Sequence, residues 1–358
     1  MDFSLDLLRQ EDYKEWDRFI KSSPDSTIFH TIGWKRVIEE TFGYKSNYLI
    51  LKNSEGEIVG VSPAFLIKKF FKKAIVSQPF FEYGGSIVKK GFEEGYRDIL
   101  NFYKKQAREK KVKYIEIKTI PSSSDKYDKY FMKAEFKKQF QAFDFFIDIK
   151  GKDFEKDIWF KLFTAKSRVR NSVKKAIKNG VKIVEKNDFE LYYDIYLKTI
   201  ERLGSLPFPK LLFENIKKYL GSSVRFTFAY LRGKPISALM SFLYNKRDLM
   251  VGLAFDYLYQ QYRANDLLYC REIEFAIENK FDIIDFGRTR PNSSYENYKK
   301  KWGAEKCCLY SYVYPSSMAK NISPYRLYLL FSPLTKKNSL WKICTRTKIG
   351  EYLIRKFP

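Results

Sequence analysis

Histidine and cysteine are scarce in this sequence, and their scarcity limits the kinds of site that the chain can build. It has one histidine, His30, and four cysteines, none of them in a CxxC pair: Cys270, Cys307, Cys308 and Cys344. Zinc sites take most of their ligands from these two residue types. We therefore expect no metal site and no resident cofactor. The same few cysteines form no disulfide framework, which favours a reducing, intracellular location.

Long apolar runs are also missing. No stretch of 18 apolar residues is free of charged side chains, whereas a helix that crosses a bilayer needs roughly 20. Met1 is followed by an acidic, polar stretch, so we expect no signal peptide. These features together predict a cytoplasmic protein, with any membrane contact confined to the inner face of the cell membrane.

Acidic residues are too few to balance the basic ones. Lys and Arg total 67 and Asp and Glu total 42, which gives a net charge of +25 at pH 7. Such a charge predicts attraction to polyanions, namely nucleic acid, phosphorylated substrates or an anionic membrane surface. A generally lysine-rich composition explains the total equally well, but it does not explain local clusters of basic residues.

The first of these clusters has no acidic residue between Lys161 and Lys182. Its apolar residues recur at helical spacing, which predicts one basic helix over residues 154–180 that ends at Gly180. Four of its cations are candidates for binding the phosphates of a substrate: Arg168, Arg170, Lys174 and Lys175. The alternative is a solvated helix face, although such faces usually intersperse acids with bases.

The overall length and the order of elements predict two domains. At 358 residues, with 45% hydrophobic and 18% aromatic residues, the chain can build two separate cores. Helices, a hairpin, a strand, a long helix and a further strand follow one another twice. We therefore predict an α/β (mixed α+β) fold of two similar domains with partly antiparallel sheets. The predicted domains are residues 1–150 and 151–318.

A second basic cluster forms the tail, residues 319–358. It carries nine Lys or Arg residues and one Glu, interleaved with apolar residues. A basic amphipathic helix of this kind can lie on an anionic membrane. A helix packed against the second domain is the equally weighted alternative.

The stretch Phe281–Gly303 is the best candidate for a functional site. It predicts a short buried strand over Phe281–Phe286, a turn at Gly287, a loop, and a small helix that ends at Trp302-Gly303. Ligands of α/β folds gather at the carboxyl ends of strands. This loop and helix therefore gather the candidate site residues of the second domain.

Charged residues at the end of that strand suggest particular roles. Asp285 follows two isoleucines, where an unpaired carboxylate would be costly. We expect it to pair with a nearby cation, of which Arg288 is the closest in sequence, and to act either as a structural ion pair or as a general base. Arg288 is also a candidate catalytic residue, and Gly287 and Arg290 are candidates for binding substrate. Both arginines are suited to binding a phosphate through two parallel hydrogen bonds.

The loop PFFEYGG supplies the corresponding candidates in the first domain. Tyr83, Gly84 and Gly85 follow a predicted strand. They are candidates for lining the site of the acceptor substrate, and a turn within the core is the equally weighted alternative.

Four segments of the chain form a characteristic series. They read FHTIGWKRVIEETFGY followed by GEIVGVSPAF and PFFEYGG, KLFTAKSRVRNSVKKAIKNGVKI, RLGSLPFPKLLFENI, and YRANDLLYCREIEFAIENKFDIIDFGRTR followed by YKKKWGAE. In this order they resemble the FemABX-like family of peptidyl- and aminoacyltransferases, which have the GNAT fold. Together they extend from Phe29 to Glu305. Each is weak alone, but their order and spacing are fairly specific for the superfamily.

The resemblance implies two tandem GNAT-like domains with a cleft between them. It implies transfer of an aminoacyl or acyl group, from aminoacyl-tRNA or acyl-CoA, to an amine of a cell-envelope precursor such as a peptidoglycan peptide or surface glycan. Within the YKKKWG motif it assigns Lys299 as the electrostatic catalyst, with Tyr298 and Trp302 as neighbours in the site. From spacing alone, Lys299 would be one of three adjacent surface lysines.

Two departures from the family pattern concern the donor. Residues 188–220 leave no room for the long helical hairpin often found in the second domain, which argues against the tRNA-dependent subtype. Residues 260–265, QQYRAN, contain no glycine, whereas a loop that cradles a pyrophosphate usually needs one. The donor therefore stays open. A non-enzymatic protein that keeps the fold and binds RNA or membrane is the alternative from another functional class.

Overall fold

A computed structural model describes residues 3–69, 72–81, 83–120, 126–163 and 167–319. Within these residues the chain forms two compact units. Unit 1 contains the residues up to Ala142 and those from Cys308 onward, and unit 2 contains Phe143–Cys307. Strands β9 (Lys137–Asp148) and β15 (Glu305–Tyr314) contribute residues to both units.

Unit 1 combines helices with two sheets. Its helices are α1 (Tyr13–Ser22), α2 (Ile32–Phe42), α3 (Gly95–Glu109) and α4 (Asp128–Lys133). Its complete strands are β1 (Ser4–Leu7), β2 (Lys45–Ser46), β3 (Leu49–Lys52), β4 (Ile58–Ser62), β5 (Phe65–Lys69), β6 (Lys72–Val76), β7 (Ile87–Val88) and β8 (Tyr114–Lys118). One sheet is antiparallel, in the order β1-β3-β4-β7. The other runs β2-β5-β6-β8-β15 and is antiparallel except between β6 and β8.

Unit 2 is built on one mixed sheet. Its helices are a π-helix (Phe154–Leu162), α5 (Ser167–Lys178), α6 (Phe189–Leu203), α7 (Lys210–Leu220), α8 (Ala264–Glu278) and α9 (Ser294–Lys300). Its complete strands are β10 (Lys182–Glu185), β11 (Val224–Leu231), β12 (Lys234–Tyr244), β13 (Arg247–Phe255) and β14 (Ile283–Thr289). The strands follow the order β10-β11-β12-β13-β14-β9, and only β13 and β14 are parallel.

Local sequence signals account for several of these elements. The Thr31 side chain accepts a hydrogen bond from the Trp34 N–H and so caps α2 at its start, and Gly43 ends this helix in the left-handed conformation with φ +68°. Arg232 and Gly233 both have positive φ in the turn between β11 and β12, which is the backbone that a two-residue hairpin requires.

The predicted fold class, a mixed α/β fold with mixed sheets, is confirmed. The two-domain boundaries and the cleft between the domains stay predictions. The first compact unit ends at Ala142, inside β9, whereas the sequence placed a boundary near Lys150-Gly151. Only the second half of β9 has an apolar sequence pattern typical of a strand, whereas the first half, Lys137–Gln141, is mostly polar.

The predicted basic helix over residues 154–180 is not a single α-helix. The π-helix covers its start, and α5 begins at Ser167. Three residues of the predicted apolar stripe, Val169, Val173 and Ala176, are buried in the core of unit 2, where α5 packs against α8. Ile177 is 52% exposed, so the stripe is narrower than its sequence suggests.

Candidate functional site: a buried lysine on a bulged strand

The candidate site of unit 2 forms where β14 bulges. Asp285 pairs with Phe146 of β9 and Arg288 pairs with Asp144, so the two residues between them are not matched one to one. Gly287 lies in this bulge with φ +69°, and a Cβ atom there would lie 3.3 Å from the Met250 carbonyl oxygen. A bulge often redirects side chains and backbone groups next to active sites. The sequence placed a turn at Gly287, but the strand continues to Thr289, and Arg288 belongs to it.

Asp285 fixes the shape of the bulge from inside the protein. Its side chain is fully buried. One carboxylate oxygen accepts a hydrogen bond from the Gly287 N–H at 2.7 Å, and the other accepts one from the Arg247 guanidinium at 2.7 Å. Arg247 begins the parallel neighbour β13. The contacts therefore fit the structural ion pair that the sequence offered as one role for Asp285.

Lys299 differs from the two lysines that follow it because its side chain is buried. It lies in α9 and is 5% exposed, and its Nζ donates hydrogen bonds to the carbonyl oxygens of Gly287 at 2.7 Å and Arg288 at 3.1 Å. Lys300 points to solvent and pairs with Glu296 at 2.8 Å, whereas Lys301 pairs with Asp266 at 2.5 Å. Lys299 therefore binds the backbone of the bulge, whereas Lys300 and Lys301 bind acidic side chains.

The surroundings of Lys299 change its acidity. Burial removes the ammonium from water and lowers the pKa of Lys299 to about 8, although the nearby Asp144 and Asp285 carboxylates oppose this shift and Arg288 adds to it. Asp144 is fully buried in β9. Asp144 was not among the predicted site residues, although an acid within the apolar run AFDFFID was an available signal. A lysine with a lowered pKa in a site with specific charge partners is a functional candidate.

Aromatic packing holds α9 in place. Trp302 is fully buried and its ring lies 5.3 Å from that of Phe163 and 5.7 Å from that of Tyr269. Tyr298 lies 5.6 Å from Tyr269, and burial raises its pKa well above the ordinary value. The FemABX-like resemblance named Tyr298 and Trp302 as substrate-binding residues, which stays a prediction. In the structure the fully buried indole of Trp302 packs in the core of unit 2 and supports α9.

The predicted phosphate-binding residues occupy different surroundings. Arg288 and Arg290 are exposed beside the bulge. Arg168, Lys174 and Lys175 are exposed on α5, whereas Arg170 is half-buried with its guanidinium over the rings of Trp159 and Phe160. The basic tail, residues 320–358, lies outside the described residues.

The candidate residues of unit 1 belong to an anchored turn. His30 is fully buried, and its Nδ1 accepts a hydrogen bond from the Thr27 N–H at 3.1 Å. Its Nε2 therefore carries the proton and donates to the Gly85 carbonyl at 3.2 Å. Gly85 has φ +102°, and a Cβ atom there would collide with the Lys118 carbonyl oxygen. Burial lowers the pKa of His30 to about 4, so this histidine is a neutral structural residue.

Tyr83 and Gly84 complete that turn. Tyr83 is buried, and its ring centroid lies 6.0 Å from that of Phe29. A Cβ atom at Gly84 would lie 2.8 Å from the Cβ atom of Gln78. These contacts fit the core turn that the sequence offered as an alternative to a lining of the acceptor site.

The described residues contain neither a membrane-spanning helix nor a cluster of metal-binding side chains. Residues 3–319, with the gaps stated above, contain no helix that is long and apolar enough to span a bilayer. The same residues contain no group of three or more His, Cys, Asp or Glu side chains arranged to hold a metal ion.

Comparison with known protein families finds one match, which covers the candidate site of unit 2. Residues 165–300 match the protein family described as acetyltransferase (GNAT) domain. This match contains the bulge of β14 and Lys299 and ends at Lys300. No curated protein sequence matches the chain.

Solved structures share the fold of the chain at low sequence identity. FemX is 15% identical with a TM-score of 0.68, and the alignment covers 92% of this chain and 100% of FemX. The C-terminal domain of a putative lysylphosphatidylglycerol synthetase from Agrobacterium fabrum is 10% identical with a TM-score of 0.59, covering 86% of this chain and 93% of that domain. A tandem GNAT protein from the clavulanic acid biosynthesis pathway is 10% identical with a TM-score of 0.55, covering 87% and 98%. The chain thus has a tandem GNAT fold like that of FemX, as its sequence motifs predicted, and its residues 165–300 match the family of GNAT acetyltransferase domains.

Proposed function

We propose that the protein is an acyl- or aminoacyltransferase in which Lys299 stabilises the transition state. The observation that carries this proposal is the buried Lys299 ammonium, held by two backbone carbonyls at the bulge of β14. The match of residues 165–300 to a GNAT acetyltransferase domain and the FemX-like fold support it.

The proposed reaction joins an acyl group to an amine. The amine nitrogen attacks the carbonyl carbon of an ester or thioester, and the carbonyl oxygen becomes an oxyanion. Collapse of this intermediate breaks the bond from carbon to the leaving oxygen or sulfur, which takes up the proton that the amine loses. An ammonium has three N–H donors. With two directed to Gly287 and Arg288, the third suits the oxyanion, where one fixed donor typically contributes ~3–4 kcal/mol.

The residues around Lys299 position its partners and bind the substrate. Asp285 and Gly287 keep the bulge in shape and so position the two carbonyls that hold Lys299. Arg288 and Arg290, exposed beside the bulge, are suited to the phosphates of a substrate. Alignment of the two substrates supplies the larger share of catalysis, since it can lower the barrier by roughly 7–11 kcal/mol.

The donor and acceptor classes follow from the FemABX-like resemblance. The donor is an aminoacyl-tRNA or an acyl-CoA, and the acceptor is an amine of a lipid- or nucleotide-linked envelope precursor. Two fold neighbours, FemX and the putative lysylphosphatidylglycerol synthetase, make an envelope-related acceptor a reasonable first choice. The proposed location is cytoplasmic, at or near the inner face of the membrane.

The test supplies both donor classes at once. Labelled aminoacyl-tRNA and labelled acyl-CoA are incubated with the protein and an extract of lipid-linked envelope precursors, and transfer of label is measured. Lys299→Met should lower kcat by about 100- to 1,000-fold, the usual effect of removing one oxyanion donor. Lys300→Met, in a neighbouring solvent-facing lysine, is the matched control and should keep full activity. Equal activity in the two variants would refute the role of Lys299.

A non-enzymatic protein that binds polyanions is the second candidate. The exposed cations of α5, Arg168, Lys174 and Lys175, favour it. The same variants separate the two functions: Lys299→Met would leave binding of RNA unchanged, because the lysine is buried, whereas it would lower the rate of transfer about 100- to 1,000-fold.

A further inference from the structure

An aromatic surface beside α5 is not used by the site described above. Phe160 belongs to the π-helix and is 57% exposed, whereas Ile158 and Phe163 on either side of it are buried in the core. The Arg170 guanidinium lies over this part of the chain, 5.7 Å from the ring centroid of Phe160 and 5.6 Å from that of Trp159. We call Trp159, Phe160 and Arg170 the Phe160 platform.

Basic residues continue from the platform along one face of α5. Arg170, Lys174 and Lys178 are spaced four residues apart, so they lie one above the other on that face, about 6 Å apart along the helix axis. Lys174 and Lys178 are exposed. No acidic residue occurs between Lys161 and Lys182, so the face has no local countercharge within the helix.

The π-helix that carries Trp159 and Phe160 is joined by packing to the segment that contains the proposed catalytic lysine. The ring of Phe163, three residues after Phe160, lies 5.3 Å from that of Trp302. The Trp302 N–H donates to the Lys299 carbonyl at 3.1 Å. A Cβ atom at Gly303 would lie 3.0 Å from the Leu162 Cγ atom. The end of the π-helix therefore packs directly against the segment that follows Lys299.

We propose that the Phe160 platform and the basic face of α5 bind the nucleotide part of the acyl donor. An unpaired base stacks on the exposed ring of Phe160 beside Arg170, and the phosphates that follow lie along Lys174 and Lys178. Aromatic rings next to a row of cations are how proteins bind single-stranded nucleic acid, because every unpaired base offers a flat face. A base pair within a duplex does not offer that face.

This inference rests on the proposed transferase function and narrows it. The 3′ end of an RNA and coenzyme A share the required chemistry, since each joins an adenine nucleoside to phosphates. The surface thus predicts a nucleotide-linked donor, and experiment decides between the two sources.

Binding is measured without any acyl group, so that the result does not depend on catalysis. Fluorescence anisotropy follows a labelled single-stranded RNA octamer that ends in ACCA, and coenzyme A is tested both as a competitor and by calorimetry. Phe160→Ala should weaken binding about 5- to 150-fold, the range for one stacked base. Phe160→Leu keeps an apolar side chain but loses the aromatic face, so it should weaken binding to a similar extent. Ile177→Ala removes another exposed apolar side chain from α5 and should have no effect.

The role of Lys174 and Lys178 is tested by measuring how the affinity for RNA depends on salt concentration. Single-stranded RNA loses about 0.7 in the slope of log affinity against log salt for each phosphate contact removed. Lys174→Met combined with Lys178→Met should therefore lower the slope by about 1.4, whereas Phe160→Ala should leave it unchanged. Thermal unfolding of each variant, followed by circular dichroism, checks that the fold is kept.

Each result of these binding measurements either supports or overturns the proposal. Binding of the octamer that depends on Phe160 supports it with RNA as the source, and binding of coenzyme A alone with the same dependence supports it with coenzyme A. The proposal is overturned if neither affinity changes in Phe160→Ala, if blunt duplex RNA binds as tightly as the octamer, or if only phosphatidylglycerol vesicles bind. Loss of transfer in Lys299→Met with nucleotide binding intact would support the transferase function independently.

Discussion

The lowered pKa of Lys299 predicts that this residue weakens the fold at neutral pH. A buried ammonium has lost the favourable free energy of its hydration. Attraction to the Asp144 and Asp285 carboxylates compensates for only part of that loss. The pKa is about 8 in the folded protein, against an ordinary value of 10.5. Lys299→Met removes the charge and keeps a side chain of similar length, so it isolates this contribution.

The sign of the effect follows from proton binding. Between pH 8 and pH 10.5 the unfolded chain holds the Lys299 proton and the folded protein does not, so the stability of the wild type rises with pH in this window. The thioether that replaces the ammonium in Lys299→Met does not titrate. Relative to this variant, the wild type should therefore gain roughly 2–3 kcal/mol in free energy of unfolding between pH 7 and pH 10, from a shift of about 2.5 pKa units.

Urea unfolding followed by circular dichroism at pH 7 and pH 10 measures this double difference. Other lysines and tyrosines also titrate, but they do so in both proteins and cancel. Lys300→Met is the matched control, because its side chain is 49% exposed, and its difference from the wild type should be the same at both pH values. A Lys299→Met difference that does not change with pH would refute the argument that burial lowers the pKa of Lys299.

Two further predictions use the same site. Transfer should decline as the pH rises through about 8, because in the proposed reaction the charged form of Lys299 stabilises the oxyanion, and this form is lost above its pKa; a profile of kcat against pH that keeps rising past pH 9 would contradict this. Arg247→Met should lower the free energy of unfolding by about 3–5 kcal/mol, because it removes an ion-pair partner from the fully buried Asp285 carboxylate. Adding Asp285→Asn to Arg247→Met should restore much of that loss, and thermal unfolding of the single and double variants shows whether it does.

The sequence was sufficient for the fold class because the signals for individual helices and strands are local. Pro209 and Gly221 mark the two ends of the helix Lys210–Leu220, and an apolar pattern marks the strand Val224–Leu231. Lys299 was selected from three consecutive lysines by its position in a motif. Its burial depends on how α9 packs, which no local pattern encodes.

The charge partners of the site could not be read from sequence, because they come from distant strands. Proximity in sequence favoured Arg288 as the partner of Asp285, but parallel pairing of β13 with β14 brings in Arg247, 38 residues upstream. Asp144 reaches the site from β9, on the other side of β14. Non-local strand pairing therefore determines the electrostatics of the candidate site, whereas local motifs only suggested where such a site could lie.

The membership of β15 in both units has a consequence for synthesis of the protein. Strand β8 of unit 1 pairs with residues 311–314 of β15, and these leave the ribosome only after the whole of unit 2. Until then β8 exposes an unpaired edge, which is prone to pairing with other chains, and unit 1 cannot complete its fold first in the usual order. A recombinant fragment cut near residue 150 would keep that edge permanently, so soluble expression of unit 1 should require residues 308–319 to be joined to it.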